Sequence, residues 1–175
     1  PVLHRTLEQA LRVTSDVHIT GPVNDPRYRL PGAVFHPREP ESARSEYEST
    51  RELWHPDGRT VLLLGDVWFT HACFDLITGW PDEAFRVFGR AWPSTFTGAP
   101  YGEIWGASWW PQDHEALDQA LAVVHATRES GECTRPPGWM LLIEMQGHRG
   151  SGSPLRRWSH RVNPPEKPWF VDTAE

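Results

Sequence analysis

"TVLLLGDVWFT", residues 60–70, sets an uninterrupted apolar run, Val61 to Leu64, directly before a glycine and an aspartate. An apolar run of this length is typical of a strand that is buried on both faces. Aspartate is depleted in strands and is costly to bury without a partner. By position alone, Asp66 therefore has two interpretations: it caps or turns the chain after the strand, or it binds a ligand.

Composition limits the classes of protein to consider. The 175 residues suffice for one domain with a core, and the net charge of −6 argues against a nucleic-acid partner held on a broad basic face. No apolar run approaches the length of a membrane span, and no signal peptide opens the sequence. The two cysteines, Cys73 and Cys133, form no CxxC pair, so we expect a cytoplasmic protein without a disulfide framework.

Helical and strand-like patterns alternate along the chain. The clearest helix lies in residues 111–131, with Pro111 and Asp113 suited to its start and Gly131 to its end. Apolar segments predict further strands at residues 60–64, 85–90, 102–110, 139–147 and 169–172. Such alternation predicts a single α/β domain with a mostly parallel central sheet, and in such sheets ligands gather at the carboxyl ends of the strands.

A second aspartate, Asp172, also follows an apolar run, Trp169 to Val171. Taken singly, an aspartate at a strand end is also typical of a turn or a cap. Mg²⁺, however, is usually held by one or two carboxylates together with substrate phosphates. Asp66 and Asp172 would suffice as such a pair, and Gly65 would let a phosphate or a cation approach the backbone closely.

Four segments resemble the nucleotide-diphospho-sugar transferases, and most closely the sugar-phosphate and phosphocholine nucleotidyltransferases. The first resembles the "KPLLxRTLExL" element of that family, the second its strand with the first metal aspartate, the third its "GIS-aromatic" strand with the following helix, and the fourth its "VDTPEDL" element. These segments are "PVLHRTLEQAL" (1–11), "LLLGDVWFT" (62–70), "YGEIWGASWWPQDHEALDQAL" (101–121) and "FVDTAE" (170–175). They occur in family order and span nearly the whole chain.

The resemblance implies a three-layer αβα sandwich of the type A glycosyltransferase-like fold. It also implies that Asp66 and Asp172 are the catalytic metal ligands, for Mg²⁺ or Mn²⁺. The implied reaction is attack by an oxygen of a sugar phosphate on the α-phosphate of a nucleoside triphosphate, with pyrophosphate as the leaving group. Substrate contacts are expected from Gly65 and, near the end of a following strand, from Arg90, Tyr101 and Glu103.

The sequence departs from the family at its start, because the Gly-rich loop that wraps the nucleotide phosphates is not among residues 1–175. We therefore expect that an N-terminal strand with this loop, and a C-terminal helix, belong to a longer polypeptide. Two alternatives stay open: a glycosyltransferase that uses a nucleotide sugar, and an inactive relative that binds a nucleotide or a partner protein. The scarcity of lysine, with Lys167 alone, suggests a high-GC bacterium or its phage.

Overall fold

A computed structural model describes residues 2–39, 45–90, 103–131, 138–145 and 170–173. The helices in these ranges are α1 (Val2–Ala10), α2 (Glu46–Ser49), α3 (His71–Thr78), α4 (His114–Glu129) and α5 (Trp139–Met145). The strands are β1 (His18–Pro22), β2 (Val34–Arg38), β3 (Thr60–Leu63), β4 (Arg86–Arg90), β5 (Glu103–Trp109) and β6 (Phe170–Asp172).

The predicted three-layer αβα sandwich around one mostly parallel sheet is wrong. The described strands form two sheets, a parallel pair β1–β2 and a mixed sheet in the order β3–β5–β4–β6. In the mixed sheet β5 is antiparallel to both of its neighbours, and only β4 and β6 are parallel. The reason is visible in the register: the last residue of β4, Arg90, pairs with the first residue of β5, Glu103, so the chain reverses direction between these strands.

The segment at residues 139–147 was predicted as a strand and is a helix over Trp139–Met145. A short apolar run does not separate a buried strand from a buried helix by its periodicity, and Met and Leu are good helix formers. Met140 and Leu141 are buried in one core cluster with Leu117 of α4. The predicted α4 is confirmed: it follows a short 3₁₀ turn, Pro111–Asp113, and Gly131 adopts a left-handed φ of 76° just past its end.

Core clusters lie on both faces of the mixed sheet. Val87 and Phe88 are adjacent in β4 and therefore point to opposite faces, and both are fully buried. Val87 belongs to the cluster that contains Trp109 and the buried sides of α4 and α5. Phe88 belongs to the cluster of α3, with Phe74 and Ile77. The helices therefore fix the mixed sheet from both sides.

Arg59 anchors the start of β3 against α3. Its guanidinium donates hydrogen bonds to the carbonyls of Ile77 (2.8 Å) and Thr78 (2.7 Å), and to the hydroxyl of Ser108 (2.9 Å). These carbonyls belong to the last turn of α3, where the helix dipole favours a positive charge. Burial lowers the pKa of Arg59, but an arginine stays protonated in proteins, so this charge is retained.

The apolar strand β3 is less buried than its sequence predicts. All four of its residues, Thr60–Leu63, are only partly buried, because β3 is an edge strand of the mixed sheet. Its free side faces a cleft of about 410 Å³ that is also lined by β1 and α1. A third core cluster, with Leu7, Ile19 and Leu30, holds α1 against the β1–β2 pair on the other side of this cleft.

One glycine is required by close packing between β4 and β5. A Cβ atom at Gly89 would lie 2.0 Å from the carbonyl oxygen of Glu103, and that oxygen belongs to the backbone. We predict that Gly89→Ala destabilises the protein by about 1–3 kcal/mol, the range for an overpacked core, because the two strands must separate locally. Urea denaturation followed by far-UV circular dichroism measures this change.

Gly65→Ala is the matched control for this prediction. At Gly65 the nearest atom to an added Cβ would be the flexible tip of Leu3, at 3.3 Å, so we expect a change within about 0.5 kcal/mol. Equal destabilisation by the two substitutions would contradict the role assigned to the close approach at Gly89.

Candidate functional site

Three strands of the mixed sheet end at the same edge. Because β5 is antiparallel to both β3 and β4, and β4 is parallel to β6, the strands β3, β4 and β6 run in one direction. We call this shared end of β3, β4 and β6 the carboxyl edge. It carries Gly65 and Asp66 just after β3, Arg90 as the last residue of β4, Asp172 as the last residue of β6, and Glu103 as the first residue of β5.

Asp66 does not cap the helix that follows it. The cap of α3 is Thr70, whose hydroxyl accepts a hydrogen bond from the backbone amide of Cys73 at 3.1 Å. Asp66 lies in a turn closed by a hydrogen bond from the amide of Val67 to the carbonyl of Leu64. Its side chain is exposed, and among the described residues its carboxylate has no hydrogen bond or ion pair. Asp66 is therefore a turn residue and not a helix cap, and binding of a ligand by its carboxylate stays a prediction.

The surroundings of Asp66 include an exposed aromatic ring and a cation. Trp68 is 60% exposed, and the guanidinium carbon of Arg5 lies 4.5 Å from its ring centroid. This separation is that of a cation–π contact. Arg5 is also held by a hydrogen bond from its Nε to the carbonyl of Phe69. Arg5 of helix α1 thus contacts Trp68 and Phe69, which come two and three residues after Asp66 in the chain.

Arg90 and Glu103 face each other across β4 and β5 in direct register. A cross-strand pair of opposite charges stabilises a sheet by about 0.2–1 kcal/mol. Both residues take part in interactions within the protein. Both lie at the carboxyl edge, and contact with a substrate stays a prediction. Tyr101 lies outside the described residues.

A single tryptophan links the segments that carry the two aspartates. Trp105 is the extra residue of a bulge in β5, at the register shift opposite Phe88 and Gly89. Its carbonyl accepts a hydrogen bond from the amide of Leu64 at 2.9 Å, and its indole Nε1 donates to the hydroxyl of Thr173, also at 2.9 Å. Bulges re-aim side chains near functional sites. The sequence gives no signal for this bridge, because it joins residues 68 positions apart.

The two aspartates lie at one edge of the sheet, on its two outer strands. Three strand spacings separate β3 from β6, about 14 Å. One cation can therefore bind both carboxylates only if the turn at Asp66 reaches over the ends of β5 and β4. Among the described residues, no group of three or more His, Cys, Asp or Glu side chains could hold a metal ion.

Comparison with known proteins adds no family assignment. No protein-family model, no curated protein and no solved structure matches this chain. Within the described ranges, no helix has the length and apolar character needed to cross a membrane.

We predict that the bridge between Trp105 and Thr173 couples the two residues energetically. In a double-mutant cycle with Trp105→Phe and Thr173→Val, the coupling free energy should be about 1 kcal/mol, the net value of one hydrogen bond with a partly buried donor. The free energy lost because phenylalanine is smaller than tryptophan is the same with threonine and with valine at position 173, so it cancels in the coupling free energy. Urea denaturation gives the free energy of unfolding of the original protein, the two single variants and the double variant. Strictly additive effects of the two substitutions would contradict the bridge.

Proposed function

We propose that this protein is a transferase that acts on a nucleotide or a nucleotide sugar with the help of Mg²⁺ or Mn²⁺. The specific reaction proposed is nucleotidyl transfer from a nucleoside triphosphate to a sugar phosphate or a similar phosphate. The single observation that carries the proposal is the turn at Gly65 and Asp66. It presents an exposed carboxylate without a partner among the described residues, at the same sheet edge as Asp172.

The proposed roles follow from the chemistry of phosphates. Asp66 and Asp172 would hold the metal ion, which when bound would neutralise charge on the phosphates and polarise the reacting group. Gly65 is exposed, and among the described residues only the side chain of Leu3 would lie within 4 Å of a Cβ atom added there, so the backbone of the turn is accessible. Arg5, which contacts the ring of Trp68 two residues after Asp66, would supply a positive charge that attracts an anionic ligand.

The bonds made and broken in this reaction balance without a further reactant. An oxygen of the acceptor phosphate forms a bond to the α-phosphorus of the nucleoside triphosphate, and the bond between this phosphorus and the bridging oxygen of the β-phosphate breaks. Pyrophosphate carries away the electron pair. The protein contributes positioning and charge stabilisation, the two effects that dominate phosphoryl and nucleotidyl transfer.

Asp66→Asn is the direct test. We predict that it weakens magnesium-dependent binding of the nucleotide at least tenfold, which corresponds to about 1.4 kcal/mol, because an amide is a poorer ligand for a hard cation than a carboxylate. Isothermal titration of the full chain with each nucleoside triphosphate and with nucleotide sugars, with and without Mg²⁺, measures the effect.

Asp57→Asn is the matched control, since Asp57 is also exposed but lies before the amino end of β3. It should leave nucleotide binding unchanged. Absence of magnesium-dependent binding by every ligand in the panel, or an equal loss in the two variants, would overturn the proposal. Binding of nucleotide sugars alone would indicate glycosyl transfer instead, and tight binding without turnover would indicate an inactive relative.

A further inference from the structure

Two histidines meet on the β1–β2 pair, away from the mixed sheet. In its parallel register Thr20 pairs with His36, so His18 and His36 lie on the same face two residues apart along the sheet. The Nδ1 atom of His18 is 2.8 Å from the Nε2 atom of His36, and the ring centroids are 5.0 Å apart. One ring nitrogen from each of the two adjacent strands therefore faces the other.

A carboxylate fixes the orientation of the first ring. Asp16 Oδ1 lies 2.9 Å from Nε2 of His18. A carboxylate accepts, so this nitrogen of His18 carries its proton, and in the neutral ring Nδ1 is left with a lone pair. His36 must then donate its Nε2 proton to His18. When both rings are neutral, a single proton, the one on Nε2 of His36, lies between the two nitrogens.

We propose that His18 and His36 chelate a divalent transition-metal ion of the Zn²⁺ or Cu²⁺ class through these two nitrogens. The ion takes the place of the shared proton. His36 gives this proton up from Nε2 and takes up one proton at Nδ1 from solvent, so both rings stay neutral, no net proton is released, and no oxidation or reduction accompanies the exchange. Imidazole is a preferred ligand of these ions, unlike the oxygen ligands that suit Mg²⁺. The site is therefore chemically distinct from the carboxyl edge, and it does not rest on the proposed transferase activity.

The geometry requires only a small adjustment. Metal–nitrogen distances of about 2.0–2.1 Å with a tetrahedral angle put the two nitrogens about 3.3 Å apart, so the rings must separate by about half an ångström. Asp16 would act as the partner that orients a ligating histidine, an arrangement found at most histidine metal sites. No third described side chain completes the set, and water would fill the remaining positions. His18 and Asp16 also line the cleft beside β3, which gives the ion a route from solvent.

Titration of the metal-free full chain with zinc chloride, and separately with copper(II) chloride, tests this site. We expect one equivalent to bind, and expect His18→Gln and His36→Gln each to weaken binding at least tenfold. Asp16→Asn should weaken it by about 10–100-fold, the usual effect of losing the partner of a ligating histidine. In the copper complex, electron paramagnetic resonance should show coupling to two imidazole nitrogens, reduced to one in His36→Gln.

His55→Gln is the control, because His55 also lines the cleft but, in the part of the chain that the structure describes, has no second histidine against it. Its metal affinity should equal that of the original protein, and circular dichroism should show that every variant is folded. Two results would overturn the proposal: no one-to-one binding of either metal, or binding that survives in both His18→Gln and His36→Gln. The second result would mean that the two rings only join β1 to β2 by a hydrogen bond.

Discussion

Strand β5 is the element on which the mixed sheet depends, because it is hydrogen-bonded to β3 on one side and to β4 on the other. Its close fit against β4 requires a glycine at position 89, where any side chain would collide with the backbone of Glu103. Its antiparallel direction has a consequence for the whole domain. It leaves β3, β4 and β6 parallel to one another, although only β4 and β6 are direct parallel neighbours.

This arrangement explains how residues that are distant in sequence come to share one edge. Asp66 comes after β3 and Asp172 ends β6, the two outer strands of the mixed sheet, and the bulged Trp105 of β5 is hydrogen-bonded to Leu64 and to Thr173. A bulge leaves one residue of the strand without a partner in the sheet. It also changes the direction in which a side chain points, which otherwise alternates between the two faces of the sheet. Here the turned indole reaches a buried hydroxyl, that of Thr173, and so fixes β6 relative to the end of β3.

Local sequence signals predicted much of the secondary structure and failed where the outcome depended on partners. The helix over His114–Glu129 carries its own start and stop residues, so its bounds could be read directly. The run at Trp139–Met145 lacks such signals, and its packing on α4 decides that it is helical. The alternation of elements could not reveal the direction of β5, since the same order of helices and strands is compatible with parallel and with antiparallel pairing.

The candidate sites likewise depend partly on residue order and partly on contacts between elements. The sequence by itself determined that a carboxylate follows the apolar run of β3, because this is a matter of residue order. Only the tertiary structure decided that Asp66 is exposed and not a helix cap, and that β3 is a half-buried edge strand. Nor could spacing predict that His18 and His36 meet, because contacts between strands are set by register, and register is fixed by the packing of whole elements.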